Sequence, residues 1–336
     1  MLIKKIKELT FIVPIKDRPK QLNKLLNNCK KVLYNKIKYD LIIIDASNIK
    51  NQKKNKEILK KHQVSKIIIQ KDRGITIGCF KAIPHVKSNY CTFLYDDDEL
   101  GKYIHLVFKE NLKDNKIFSM GTGTVQDINK KIQFKNIKSV VLEKEKILLN
   151  YFGIPLSKTN HKFKGILSSP VSPISICFKS EYLHKWKKHI LKFVKNNTFR
   201  NYFLIKKDIG PDLIVYLHNI MHSNVTVNFF TPHVVKFSSH PDSISIIYGI
   251  NNLRIGYWLA KLSILDDNFS IKKINKDYLY TYTIIVGYYL LFTNINNTFF
   301  FKNILDELFK LHKKNKLNFS FMYTFLILKI WYFKRK

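Results

Sequence analysis

Short apolar runs alternate with helical stripes through the first hundred residues. Leu9 to Val13 is an apolar run bounded by Pro14, and Pro19 opens a stretch in which Leu22, Leu25, Leu26, Cys29 and Leu33 recur at helical spacing. Proline is favoured at a first helical position because its missing N–H would have had no partner there. Leu41 to Ile44 is continuously apolar, as expected of a strand covered on both faces, and ends in Asp45-Ala46-Ser47. A polar, lysine-rich helix is predicted through about Lys61, then a third such strand over Lys66 to Gln70. After Gly74 a helical segment carries Phe80, Ala82, Ile83 and Val86, interrupted by Pro84, and a fourth strand begins near Cys91. This alternation predicts an α/β fold with a doubly wound, mostly parallel sheet. Three strand ends, near Pro14 to Arg18, Asp45 to Ser47 and Asp96 to Asp98, then share the carboxyl edge where open sheets bind ligands.

The fourth strand runs through Phe93, Leu94 and Tyr95 into Asp96-Asp97-Asp98-Glu99, four acidic residues in a chain of net charge +35. Adjacent carboxylates raise each other's pKa unless a cation neutralises them. Oxygen ligands in this number suit Mg2+ or Mn2+ and leave coordination positions for the oxygens of a diphosphate. The competing reading is an acidic turn balanced by neighbouring lysines.

Composition narrows the class. A chain of 336 residues with 46% hydrophobic and 14% aromatic content has enough for a large core and is no disordered tail. Only five of its 59 basic residues are arginine, and the lysines are scattered, so the pattern argues against a nucleic-acid partner and leaves attraction to an anionic membrane open. Cys29, Cys79, Cys91 and Cys177 lack metal spacing and read as reduced core residues of a cytoplasmic protein. Lysines break the amino-terminal apolar residues before a secretory core forms, and no uninterrupted apolar window is long enough to span a bilayer.

The segments Phe11-Ile12-Val13-Pro14-Ile15-Lys16-Asp17-Arg18-Pro19, Ile42-Ile43-Ile44-Asp45-Ala46-Ser47 and Leu94-Tyr95-Asp96-Asp97-Asp98 together resemble the family 2-like glycosyltransferases of GT-A fold. Order and spacing agree over roughly the first 100 residues. The resemblance implies a donor site for a nucleotide-diphosphate sugar in which Pro14, Ile15, Lys16, Arg18, Asp45 and Ser47 contact the nucleoside. It implies that the carboxylates hold the diphosphate through Mn2+ or Mg2+, with Asp96 and Asp98, or Asp97 and Asp98, as the metal pair. Gly74 and Lys81, with Arg73, are further donor-site candidates next to the diphosphate. Downstream, Asp208-Ile209-Gly210-Pro211-Asp212 corresponds to the family's acceptor loop, with Pro211 where the usual Glu would stand. Asp212 is the implied general base and Asp208 the alternative; as a plain first-turn residue, Asp212 would also suit the helix dipole. His240, in Ser238-Ser239-His240-Pro241, is similar to a terminal His that approaches the pyrophosphate or metal.

From Asn251 the pattern turns helical, with stripes at Tyr257 to Leu265, Tyr278 to Phe292, Ile304 to Leu311 and Phe319 to Phe333. The expected organisation is a GT-A-like catalytic domain over 1–248 and a C-terminal helical appendage, basic and aromatic, over 249–336. That appendage either packs as an ordinary helical layer or lies in a membrane interface beside a lipid-linked acceptor. The resemblance implies metal-dependent, inverting sugar transfer to a hydroxyl of a glycan or lipid-linked acceptor, in cell-surface polysaccharide biosynthesis; the expected location is the cytoplasm, with the inner membrane face as an option. A nucleotidyltransferase is the nearest rival, although the loop after the first strand has no glycine; a non-enzymatic basic binding module is the other.

Overall fold

The computed structural model describes residues 8–71, 74–113, 118–127, 138–142, 176–222, 227–239, 247–266 and 276–315. Strands β1 (Leu9–Ile15), β2 (Tyr39–Asp45), β3 (Lys66–Ile69) and β4 (Tyr90–Phe93) alternate with helices α1 (Pro19–Leu33), α2 (Ile49–Leu59) and α3 (Ile75–Ala82). The sheet order is β3-β2-β1-β4-β8, where β8 is Phe178–Lys179. The first four strands are parallel and β8 is antiparallel to β4. This is the doubly wound α/β sheet that the apolar alternation predicts.

Two details depart from the sequence reading. Strand β1 continues through Pro14, which pairs with Ile44, and ends at Ile15 opposite Asp45. Proline is accommodated because the β4 ladder stops at Ile12, whose carbonyl accepts from Leu94 N–H, so no partner on that side asks Pro14 for a donor. Strand β3 is an edge strand, with Ile67 and Ile69 exposed. Its apolar run therefore does not mark a strand buried on both faces.

The core against α1 contains Phe11, Val13, Leu22, Leu25, Leu26, Cys29, Leu41 and Ile43, so the helical stripe meets one face of β1 and β2. On the far side, α5 (Glu181–Val194) brings Trp186 against Phe93 and Phe80, with ring centroids 5.4 and 5.1 Å away. Edge-on and tilted ring pairs of this kind contribute beyond their buried area. All four cysteines are free and buried.

A smaller sheet joins β5 (Glu99–Leu100), β6 (Phe118–Asp127), β7 (Lys138–Leu142) and β9 (Val227–Ser239). Strand β9 is continuous through Pro232. Helix α4 (Ile104–Lys113) follows β5, and helix α6 (Pro211–His222) packs beside α5.

The chain divides into two compact units, 1–273 and 274–336. Helix α7 (Gly249–Asp266) belongs to the first and packs on α6. In the second unit, α8 (Lys276–Thr293) and α9 (Thr298–Asn315) pair with each other, and the Tyr288 hydroxyl lies 2.8 Å from His312 Nε2. The stripe expected over Phe319 to Phe333 lies outside the described residues.

Candidate active site

The parallel register sets Ile15 beside Asp45 and carries Leu94 past Ile12, so the loops after β1, β2 and β4 open on one edge. The first two loops are braced together. Asp17, at φ 56°, donates its N–H to Ser47 Oγ at 2.8 Å, and its Oδ1 accepts from Asn48 N–H at 2.8 Å and Asn51 Nδ2 at 3.1 Å. Those donors, Asn48 first, hold the Asp17 carboxyl below its ordinary pKa.

Asp45 is buried, its Oδ1 accepting from Ser47 N–H at 2.9 Å and its Oδ2 from Asn55 Nδ2 at 3.0 Å. Asn55 Nδ2 also lies 3.2 Å from Ser47 Oγ, and Gln52 Nε2 donates to the Ser47 carbonyl at 2.6 Å. Asp45 therefore fixes the loop's shape from beneath. The sequence reading missed Asp17, Asn48, Asn51, Gln52 and Asn55. Their available signal was the Asn48, Asn51, Asn55 spacing, which puts three amides on one face of α2 next to a strand end.

Arg18 crosses to the acidic cluster. Its Nη1 lies 3.4 Å from Asp96 Oδ1 and 3.5 Å from Asp97 Oδ2, while Asp98 is buried. Behind the cluster, buried Lys236 of β9 places Nζ 3.9 Å from Glu99. A shallow hollow beside the cluster is lined by Gln21, Lys24, Leu25 and Asn28 of α1. Among the described residues no three His, Cys, Asp or Glu side chains are grouped to hold an ion by themselves. The Asp oxygens are the ligand type that a hard divalent ion takes, and such an ion would need further ligands from outside the cluster. His240 and Arg73 lie outside the described residues.

Gly74 precedes α3, and its carbonyl accepts from Gln70 Nε2 at 2.6 Å. Lys81 is exposed in the last turn of the same helix, about 10 Å along the axis from Gly74. The fold thus brings Gly74 to the loop edge and leaves Lys81 toward the other end. The N-terminus of α3 is capped from far along the chain: Asp208, at φ 54°, accepts from Ile75 N–H and Thr76 N–H, each at 2.9 Å. Burial raises the Asp208 pKa against the pull of those two amides.

Asp212 opens α6, where Trp186 Nε1 donates to the Pro211 carbonyl at 2.8 Å and Leu213 N–H bonds to Asp212 Oδ1 at 2.9 Å. Burial lifts the Asp212 carboxyl to about 6, opposed by the amides of Leu213 and Asp212 itself and helped by the charge of Asp208. Tyr95, between the fourth strand and the acidic cluster, feels Asp212, Asp98 and Asp208 together. Burial foremost, then those charges, push its phenol well above the ordinary range. Charges from the Asp208–Asp212 segment and from the acidic cluster therefore act on one tyrosine.

This sheet, with the acidic turn on its carboxyl edge, has a GT-A-like fold. Solved structures carry that statement: S. aureus TarS 1-349 superimposes with TM-score 0.54 at 13% identity, over 90% of this chain and 80% of that one. The same protein in complex with UDP-GlcNAc gives TM-score 0.54 at 11% identity, over 90% and 81%. Against the longer S. aureus TarS structure the values are 0.50 and 12%, over 84% of this chain but 43% of TarS, so this chain spans less than half of that protein. No protein-family model matches the chain, and no curated protein matches its sequence.

Proposed function

We propose that the protein is a glycosyltransferase that moves a sugar from a nucleotide-diphosphate donor to an acceptor hydroxyl. One observation carries the reading: on a GT-A-like sheet edge, Tyr95 beside the Asp96–Asp98 turn feels the charge of Asp212, a carboxyl that burial raises to about 6. The likeness to a fold solved with UDP-GlcNAc supports it. The braced loops Pro14 to Arg18 and Asp45 to Ser47 receive the nucleoside, and Arg18 turns between the carboxylates and the diphosphate. Asp96 and Asp98 hold Mn2+ or Mg2+, which when bound supplies Lewis-acid stabilisation of the leaving diphosphate.

Asp212 takes the acceptor's hydroxyl proton as that oxygen bonds to the anomeric carbon and the bond to the diphosphate breaks. A single displacement of this kind inverts the anomeric centre. Asp208 spends both carboxylate oxygens on the α3 amides, which supports Asp212 as the base. The acceptor is a glycan or a lipid-linked hydroxyl. Contact with a lipid-linked acceptor belongs to this proposal as a peripheral one on the cytoplasmic side; among the described residues no helix is long and apolar enough to cross a membrane. We assign donor binding to 1–248 and include α7 with the catalytic unit because it packs on α6.

Thermal shift against UDP, GDP, CDP and dTDP sugars, with and without Mn2+, tests this. One nucleotide should raise the melting temperature in a metal-dependent way, because a ligand of the folded state alone stabilises it. The Asp96→Ala, Asp98→Ala double variant should lose that response. An unchanged response in EDTA by the double variant would refute the metal site, and no response to any nucleotide would refute the donor site.

A further inference from the structure

Helix α7 lies beyond the segments whose sequence resembles the transferase family, yet it packs against the loop that carries Asp212. Gly210 sits at φ 100°, and a Cβ there would come 2.7 Å from the Gly256 carbonyl oxygen and 3.1 Å from Ala260 Cβ. A Cβ on Gly256 would in turn overlap Ile209 Cγ2 and lie 2.9 Å from the Ile209 carbonyl oxygen. The acceptor loop and α7 therefore touch backbone to backbone, which only two glycines permit. Asp212 follows two residues after one of them, and Tyr257 immediately after the other.

Tyr257 is 39% exposed. Burial first, then the charge of Asp212, push its phenol pKa up, so its hydroxyl end feels the carboxylate. The inward face of α7 is Ile255, Trp258, Leu259 and Leu262, all buried. On its other side Arg254 and Tyr257 are exposed, and Lys261, half-buried, continues the stripe about one helical turn later. Burial pulls the Lys261 ammonium down to about 8, and a cation so desolvated gains most from an anionic partner.

We propose that this stripe is the acceptor subsite: Tyr257 lays its ring against a hydroxyl-rich sugar or polyol beside Asp212, and Arg254 and Lys261 match negative charge on the same molecule. The assignment deepens the glycosyltransferase reading and rests on it, since Asp212 is the group that receives the acceptor proton. Aromatic rings suit this task because they give large rigid contact area with a polar tip. Paired cations confer preference among acceptors more than raw affinity.

The test is a set of saturation-transfer NMR titrations on the full chain with glucose and glucose 6-phosphate as probes, run beside UDP, GDP, CDP and dTDP with Mn2+. The wild type should bind glucose 6-phosphate more tightly than glucose. Tyr257→Ala should weaken both about three- to tenfold, and Tyr257→Phe should not. Arg254→Gln with Lys261→Met should bring the two sugars to equal affinity, and neither change should alter nucleotide binding. If Tyr257→Ala misfolds by circular dichroism, Tyr257→Leu, which keeps bulk without an aromatic face, replaces it. Wild-type affinities in the Ala or Leu variant, no preference for the phosphate probe, or a parallel fall in nucleotide binding would each overturn the proposal. Failure of the wild type to bind any nucleotide while the sugar results hold would count against the glycosyltransferase reading alone.

Discussion

Asp212→Asn should make the protein more stable at neutral pH while stopping transfer. The carboxyl is raised from 3.8 to about 6 in the folded state, chiefly by burial. Two units of displacement correspond to about 3 kcal/mol held against the ionised form. The side chain retains some solvent, so the share expressed in stability is set at about 1.5 kcal/mol. Because the folded pKa lies above the unfolded one, the folded state binds more protons between them. The stability tied to that proton is complete below 3.8 and lost as pH rises through about 6.

Asparagine has nearly the same shape, keeps an oxygen for Leu213 N–H and carries no charge. The variant should therefore exceed the wild type at about pH 7.5 by a urea midpoint shift of roughly half a molar, and the gap should shrink as pH falls through about 6 and close only below 3.8. Unfolding can be followed by the fluorescence of the buried Trp186 and Trp258. Transfer should fall about a hundredfold or more in the variant, and wild-type activity should rise through about pH 6 as the base ionises. A variant less stable than wild type at neutral pH, or a gap independent of pH, would refute the argument that burial strains this carboxylate.

Two further substitutions probe the braces. Asp45→Asn removes the acceptor pair for Ser47 N–H and Asn55 Nδ2 in a buried place, and should cost about 1–3 kcal/mol by urea denaturation while weakening nucleotide binding. Gly78→Ala would push a methyl into Gln70 Oε1 and to 2.7 Å from Ile44 Cγ2, so a loss of about 1–3 kcal/mol is expected. A wild-type melting temperature for Gly78→Ala would show that Gln70 moves aside freely.

The sequence by itself determined the sheet. Leu9 to Val13 and Leu41 to Ile44 are apolar at strand length, and the helical stripe after Pro19 is continuous, so there local pattern and buried face coincide. It also placed the three loop ends on one edge, because parallel strands joined by helices leave no other arrangement. The strand order was not legible, and so β3 looked like a core strand although it stands at the sheet's edge. Only the tertiary structure separated the surroundings of two carboxylates. Asp208 and Asp212 are alike in sequence, but one meets two α3 amides contributed 132 and 133 residues earlier, while the charge of the other is felt by Tyr95 and Tyr257. The same holds for Gly210 and Gly256, whose contact joins α7 to the acceptor loop. Contacts between residues distant in the chain leave no periodic trace in it, whereas strands and stripes are periodic and do.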